Sequence, residues 1–396
     1  MPTSNRRGFI LFLKVLFLLC TFCKRNWDEK FSSSDFANAE LIIIDSILLQ
    51  PDSLLYLYYN MEYFKKGYIV TIDNSGQIYL LGSNGSLINK IGTKGNLPEN
   101  YSLPVGISFL SIDSIFVADY HSGKIFLFNK QGNYINDWKV IKNDTLNTFT
   151  VFYNYLGCFK DSLNNLVFEY LGRSDKLFFI TDPLYYRNAR LLTIYNPHLN
   201  QYKHYIPYEE GSPYLGNEYF LSPLDPRILK LPNKWYAVVF AHDDHIYLYD
   251  GHGNFIQRIE GKSGNFPKAK GVSFAQRDKQ FGIDYVRYNI KQNALNYLSL
   301  NSFYHNDTIL IIAKQYEAPV GDKNLPDDLN TLKYTYYKRD SYLQFYDITG
   351  KKIFNDIRQP SRLRQLIFAE SFDYLIFRSD PKLTEKNILY VTKLRY

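Results

Sequence analysis

Asp113-Ser-Ile-Phe-Val-Ala-Asp119-Tyr-His-Ser-Gly123-Lys-Ile-Phe-Leu-Phe-Asn-Lys-Gln-Gly132 reads as a strand, a polar loop, a second strand and a tight turn. Gly132 supplies the positive φ that a tight hairpin needs, and a third strand runs on to Val140. The frame recurs. Ile78-Tyr-Leu-Leu-Gly-Ser-Asn-Gly85 continues to Ile91, Ile246-Tyr-Leu-Tyr-Asp-Gly-His-Gly253 to Ile259, and Leu343-Gln-Phe-Tyr-Asp-Ile-Thr-Gly350 to Ile357. A weaker copy, Leu191 to Ile206, has Asn196-Pro197 at the turn and no glycine. The period-2 alternation in these copies marks half-buried strands.

Each copy has a strand ahead of it: Tyr68–Ile72, Ser114–Ala118, Lys176–Thr181, Trp235–Phe240 and Thr308–Ala313. A sixth unit, Asp373–Phe377 followed by Asn387–Thr392, reaches Tyr396 without a last strand. Leu41-Ile-Ile-Ile-Asp-Ser-Ile-Leu48 is the natural donor of that strand. Pairing the two chain ends in one blade closes a ring and removes an open edge. The expected fold is therefore all-β, a six-bladed β-propeller over residues 39–396, closed by the N-terminal strand. The inner hairpin strands start at Ile78, Ile125, Leu191, Ile246, Leu343 and Ile388, and the 97-residue step between Ile246 and Leu343 leaves a seven-bladed ring as the alternative. Six is preferred because Phe281–Ala313 yields only two or three strands and Lys314–Ser341 reads as a loop. Composition agrees: aromatics make up 17% of the chain, with 36 Tyr and 29 Phe, residues that favour pleated, half-buried surfaces.

The unit Asp113–Gly132 resembles an NHL-type propeller repeat, and the whole chain resembles the six-bladed NHL- and TolB-like propeller lipoproteins of bacteria. The other units share the strand–turn–strand frame without the Asp119 position, where the Trp235 unit has Phe240. The resemblance implies a propeller and an envelope location, and carries over no catalytic residue.

The N-terminus supports export. Arg6, Arg7 and Lys14 precede the apolar run Val15 to Phe22, which is too short to span a bilayer comfortably. The run ends at Cys23 and polar sequence follows, which resembles a bacterial lipoprotein signal with Cys23 as the lipidated residue; an ordinary cleaved secretion signal is the alternative. Residues 1–23 are thus a leader and 24–38 a linker. The expected location is the bacterial envelope, lipid-anchored at the outer membrane or periplasmic. Without the leader the chain holds 43 basic against 39 acidic residues, a balance that excludes a nucleic-acid binder on charge grounds. Cys158 stands alone among apolar neighbours and reads as a buried small hydrophobe.

In a propeller blade the loop between strands two and three shares a face with the connections between blades. The turn between strands three and four lies on the opposite face. The tight glycine turns therefore fall on one face and the long loops on the other, and function tends to sit on such loops. Candidates there are Asp119 and His121 in Asp119-Tyr120-His121; Tyr186 and Arg187 in Asp182–Arg190; His242, Asp243 and His245 in Ala241–His245; and Arg339 in the loop to Ser341. The His/Asp cluster has metal-ligand chemistry, but no sequence-local partner completes a site. An acid–base role for Asp119 competes with capping of its own turn. Gly261-Lys262-Ser263 is not a phosphate-binding loop, because Ile256 occupies the position of its first glycine. There is no G-x-S-x-G and no H-E-x-x-H, and no cofactor is implied. The function expected is a non-catalytic binding or scaffold propeller. Its partner would be a protein or glycan at the envelope surface, with membrane attachment through the lipid anchor only. The alternative is a hydrolase or lyase at the channel mouth.

Overall fold

Among the described residues, the first strand is the last strand of the ring. The computed structural model describes residues 39–50, 61–64, 67–73, 75–140, 155–161, 163–171, 185–216, 218–219, 226–240, 243, 245–261, 272–273, 297–316, 340–379 and 387–396. The leader, Cys23, His242 and Arg339 lie outside these residues. Strand β1 (Glu40–Leu48) leads into blade one: β2 (Met61–Phe64), β3 (Tyr68–Ile72), β4 (Ile78–Gly82) and β5 (Leu87–Ile91). Blade two is β6 (Pro104–Ser111), β7 (Ser114–Asp119), β8 (Lys124–Phe128) and β9 (Tyr134–Lys139). Blade three is β10 (Tyr155–Lys160), β11 (Leu166–Leu171), β12 (Leu192–Asn196) and β13 (Gln201–Tyr205), with a short helix α1 (Tyr185–Asn188) between β11 and β12. A short strand β14 (Glu218–Tyr219) precedes blade four, made of β15 (Arg227–Lys230), β16 (Tyr236–Val239), β17 (His245–Tyr249) and β18 (Phe255–Glu260). After β19 (Val272–Ser273), blade five is β20 (Tyr297–His305), β21 (Thr308–Tyr316), β22 (Ser341–Asp347) and β23 (Ile357–Gln359). Blade six is β24 (Leu363–Ser371), β25 (Tyr374–Ser379) and β26 (Ile388–Arg395), completed by β1.

Six four-stranded antiparallel sheets settle the blade number, and the long step holds blade five, with residues 317–340 between β21 and β22. β1 pairs with β26 from Glu40↔Arg395 to Leu48↔Ile388, as ring closure by the N-terminal strand requires. A bulge between Ile43 and Asp45, with Asp45 exposed, interrupts the outer edge of β1. Such features discourage unwanted strand addition. One expectation is corrected in blade three. The partner of β12 is β11, through Phe168↔Tyr195 to Leu171↔Leu192, and not Lys176–Thr181, most of whose apolar residues would also have matched a strand. Residues 172–184 lie outside the described set.

The middle strands read as apolar runs because both of their faces are covered. In β4, Ile78 and Leu80 face blade two while Tyr79 and Leu81 face blade six. The result is six core layers, one between each pair of neighbouring blades. Cys158 is half-buried and packs against the layer between blades two and three.

The tight turns share a chemistry. In blade two, Asn129 N–H donates to Asn133 O, Gly132 N–H donates to Asn129 O, and the Asn129 side chain accepts from Gln131 N and Asn133 N. Asp250 and Asp347 do the same work in blades four and five. This is a type I turn followed by a left-handed residue, which the glycine fills. Blade three lacks the glycine, and Asn200 takes the left-handed conformation at φ 51°.

The glycine also lets blades approach each other. Twist of roughly 20–25° per strand pair accumulates across four strands, so the outermost strand of each blade slants towards its neighbour. Its end meets the next blade's turn. A methyl on Gly132 would lie 2.0 Å from the Lys90 carbonyl oxygen of β5, and one on Gly85 would lie 2.1 Å from that of Leu48 in β1. Gly92 N–H donates to Gly132 O at 3.0 Å, and Gln50 N–H donates to Gly85 O at 3.0 Å.

Candidate functional site

The antiparallel order puts the loops between second and third strands at the same end of each sheet as the connections between blades. Between blades three and four this end is built up most. The connection after β13 and the connection after β18 are joined by their own small sheet, β14 with β19, through Glu218↔Ser273 and Tyr219↔Val272. Helix α1 from the blade-three loop packs beside them.

The join is aromatic. Tyr186, on α1, has its ring 5.4 Å from Tyr208 and 5.3 Å from Tyr214, which lies in a 3-10 turn (Pro213–Leu215) capped by Ser212. Both of those rings lie against Phe240, at 5.1 and 5.3 Å, and Phe240 lies 5.4 Å from Tyr247. Phe240 is the last residue before the Ala241–His245 loop. A continuous platform of rings therefore runs from the blade-three helix to the blade-four loop. Tyr186 is a packing member of this platform, only 1% exposed. Its neighbour Arg187 is exposed at the surface.

At the far end of the platform, Asp243 and His245 come together. The Asp243 side chain is buried; its Oδ1 accepts from the His245 backbone N–H at 3.1 Å and lies 2.6 Å from His245 Nδ1, while its Oδ2 accepts from the Tyr247 hydroxyl at 2.5 Å. Burial, reinforced by the Asp243 carboxylate, pushes the Tyr247 hydroxyl far above its usual pKa, so it stays a proton donor to that carboxylate. A buried carboxylate on Nδ1 fixes the ring orientation of a histidine. The His245 side chain keeps 19% exposure. Among the described residues no group of three or more His, Cys, Asp or Glu side chains could hold a metal ion.

Asp119 does different work. Its buried carboxylate accepts from Ser102 N at 2.8 Å, Leu103 N at 2.5 Å, Ser102 Oγ at 3.3 Å and Ser122 N at 2.9 Å. It ties the connection from blade one to the loop of blade two. Asp73 holds the same place in blade one, since Ile72↔Ile78 corresponds to Ala118↔Ile125. The Asp119 position is thus shared by two units, where the sequence comparison found it in one. Asp73 caps its own loop, accepting from Gln77 N, Ser75 Oγ and the Tyr79 hydroxyl. His121 is exposed with its ring 5.6 Å from that of Tyr120.

Sequence reading missed a second buried polar group between blades three and four. Glu169 of β11 accepts from Lys230 Nζ of β15 at 2.8 Å and from the Tyr236 hydroxyl of β16 at 2.6 Å. The Lys230 ammonium also lies 3.0 Å from the centroid of the Phe159 ring. Burial holds the Lys230 pKa below its usual value despite the neighbouring carboxylate. Glutamate at the centre of the strand Leu166–Leu171 was the available signal, because an acid in an apolar strand needs a partner.

No family model matches the chain, and no curated protein matches it. Solved structures do. A DUF4221 family member from Bacteroides vulgatus superposes with a TM-score of 0.67 at 13% identity, over 90% of this chain and 98% of that one. The likeness is one of fold. A Bacteroides fragilis protein described as exported gives a TM-score of 0.54 at 13% identity, over 92% of this chain and 97% of its own. A virginiamycin B lyase from Staphylococcus aureus gives 0.42 at 9% identity, over 90% and 99%. Among the described residues no helix is long and apolar enough to cross a membrane.

Proposed function

We propose that this chain is an exported binding propeller, anchored to the bacterial envelope by a lipid on Cys23, that engages a protein or glycan through its long-loop face between blades three and four. One observation carries the reading: the blade-three helix, the connection after β13 and the blade-four strands beside its loop meet in one aromatic platform, which ends at the exposed Arg187 on one side and at the Asp243–His245 pair on the other. A rigid base under surface loops is what a pre-organised binding site needs. The exported Bacteroides fragilis neighbour supports the location.

The test is binding of purified envelope polysaccharide and of envelope protein extract to the immobilised protein. Arg187→Ala and His245→Ala should each weaken the interaction by about tenfold, as substitutions at the centre of an interface do. Gln131→Ala and Lys351→Ala, on the glycine-turn side, should leave it unchanged. Loss confined to the glycine-turn side would overturn the assignment. Extraction of the protein into detergent, lost on Cys23→Ser, tests the anchor.

The Asp243–His245 pair favours one second reading, an envelope hydrolase or lyase with His245 as the base. A buried carboxylate on Nδ1 is the arrangement that general-base histidines use. Turnover of envelope polysaccharide by the wild type, lost in His245→Ala far beyond the loss of binding, would establish it.

A further inference from the structure

The rim of the ring has two unlike halves. On blades six, one and two the outermost strands expose Ile44 and Leu48 of β1, Leu87 and Ile88 of β5, and Tyr134 and Ile135 of β9, each between 37 and 49% accessible. On blades three, four and five the exposed residues of the outermost strands are Gln201 and Lys203, then Arg258 and Glu260 beside a single Phe255, then Arg358.

The apolar residues form one arc. The Gly85 turn sits on the Leu48 carbonyl, and Leu87 follows two residues later. The Gly132 turn sits on the Lys90 carbonyl, and Tyr134 follows two residues later. Asn89 Nδ2 also donates to Lys130 O at 2.7 Å across the same boundary. The arc therefore steps from blade to blade through the contacts that build the ring. Contiguous exposed apolar surface of this kind marks an interaction site. Lys90 and Lys139 are exposed on β5 and β9, whereas β1 exposes Glu40 and Asp45, so the basic part of the arc lies on blades one and two.

The position of the arc points to its occupant. The described chain begins beside it, at Ala39, one residue before β1, and the apolar run Val15–Phe22 and Cys23 lie upstream. The 16 residues from Lys24 to Ala39 reach at most about 55 Å when fully extended. An anchor at Cys23 therefore confines β1 to within that distance of the bilayer, and such tethering raises the effective concentration of a weak second contact. Apolar side chains flanked by lysine are what an anionic bilayer surface accepts. We infer that the rim of blades six, one and two is a second membrane contact that lays the ring edge-on against the bilayer, leaving the long-loop face accessible from the side. This rests on the anchored reading above.

The experiment uses the whole lipidated chain in vesicles of phosphatidylethanolamine and phosphatidylglycerol. A polarity-sensitive dye is attached at Ile88→Cys, at Ile135→Cys or at Lys203→Cys, each in a Cys158→Ser background. Spin-labelled lipid should quench the dyes at 88 and 135 about twofold and leave the dye at 203 unaffected. Adding Leu87→Asp to the Ile135→Cys protein should remove quenching at 135 while the vesicles still float the protein. Equal quenching at all three positions, or none at 88 and 135 in a floating protein, overturns the membrane contact. Dyes at 88 and 135 that are shielded by envelope protein extract but not by lipid would overturn it in favour of a protein partner. A protein that does not float with vesicles shows that the anchored reading itself has failed, and the rim contact falls with it.

Discussion

Blades one and two meet through a different kind of layer from blades three and four. The first layer is mainly aliphatic: Val70, Ile78, Leu80, Ile91, Ile107, Ile115 and Val117 fill it beside Phe126 and Phe128, and its one fully buried tyrosine, Tyr101, donates to Ile91 O and accepts from Gln77 Nε2 and Ile78 N. The second is built on Tyr186, Tyr208, Tyr214, Tyr236, Phe240, Tyr247 and Tyr249. A buried tyrosine brings a hydroxyl inside that must find a partner. Tyr236 finds Glu169, Tyr247 finds Asp243, and Tyr249 donates to Pro207 O. The aromatic layer therefore draws carboxylates into the ring, and with them Lys230 and His245. The aliphatic layer has no such need. Where the loops grew long, the packing beneath them became polar and chemically equipped, and the candidate site lies there.

The largest expected effect breaks the aromatic layer at its hub. Phe240 touches Tyr208, Tyr214 and Tyr247 and is buried. Phe240→Ala should cost about 3–5 kcal/mol, the usual cost of such a cavity. The corresponding truncation Ile115→Ala in the aliphatic layer, which removes less volume, should cost about 2–3 kcal/mol. Chemical denaturation of the two variants measures the contrast. Phe240→Ala should also weaken binding at the long-loop face, because α1 and the blade-four loop lose their common base.

The glycine turns sharpen the comparison from the other side. Gly132→Ala meets both a left-handed backbone at φ 83° and the fixed Lys90 carbonyl, 2.0 Å from the new methyl. Strain and overpacking together should cost about 2–4 kcal/mol. Gly350→Ala, at φ 93°, meets nothing nearer than the Ile259 side chain at 3.4 Å and should cost about 1 kcal/mol. Thermal unfolding of both variants checks the difference. Equal losses would mean that backbone strain alone matters and that the close blade contact does not.

These two regions also differ in how much of them could be read from the sequence. The Ile78 and Ile125 units show their strands, their glycines and their place in the ring, because strands buried on both faces carry a strong apolar signal and glycine marks the turn. The ring closure by Leu41–Leu48 was legible as a missing strand. Blade three was misread at Lys176–Thr181, since the true partner Leu166–Leu171 contains Glu169, an acid that lowers the apolar signal of the strand. Left-handed turns at Asn164, Asn200 and Lys234 carry no glycine, and at Lys234 only the preceding Pro232-Asn233 marks the turn. At the site, the local pair Asp243 and His245 was visible because it lies within three residues. The pairing of Glu169 with Lys230 spans 61 residues and two blades, so periodicity could not reveal it. Asp119 was visible as a residue but not as the tie between two blades, because its donors Ser102 and Leu103 precede its own strand.

The ion pair gives the next contrast. Lys230→Met leaves the Glu169 carboxylate buried with Tyr236 as its remaining donor, and should cost about 2–3 kcal/mol, less than a fully buried pair because the lysine is about a quarter exposed. Adding Glu169→Gln should recover most of that, since an uncharged amide still accepts from Tyr236. A double-mutant cycle in urea measures the coupling. The sign with pH follows from the depressed lysine. The unfolded chain binds the Lys230 proton more tightly than the folded one, so this group's penalty is fully present at neutral pH. It diminishes as pH rises through the folded pKa towards the ordinary value of 10.5. Relative to Lys230→Met, the wild type should therefore gain stability over that alkaline range.

The smallest effect tests Asp119 as a tie and not as a chemical group. Asp119→Asn keeps one oxygen, enough for the Ser102 and Leu103 amides at Oδ1, but replaces the Oδ2 acceptor of Ser122 N with a second donor. A charged acceptor becomes neutral and one buried amide loses its partner, so the loss should be about 1–2 kcal/mol. Asp73→Asn, whose bonds stay mostly within its own loop, should cost less than 1 kcal/mol on the same reasoning. Hydrogen exchange separates the two. Faster exchange in Asp119→Asn should be largest at the Ser122 amide and should extend, through the weaker neutral acceptor, to the Ser102 and Leu103 amides in the connection from blade one, whereas Asp73→Asn should speed only the Gln77 amide of its own loop. If both variants bind envelope material as the wild type does, the carboxylate of Asp119 belongs to the scaffold, and the chemistry of this face lies with the residues that the aromatic layer holds in place.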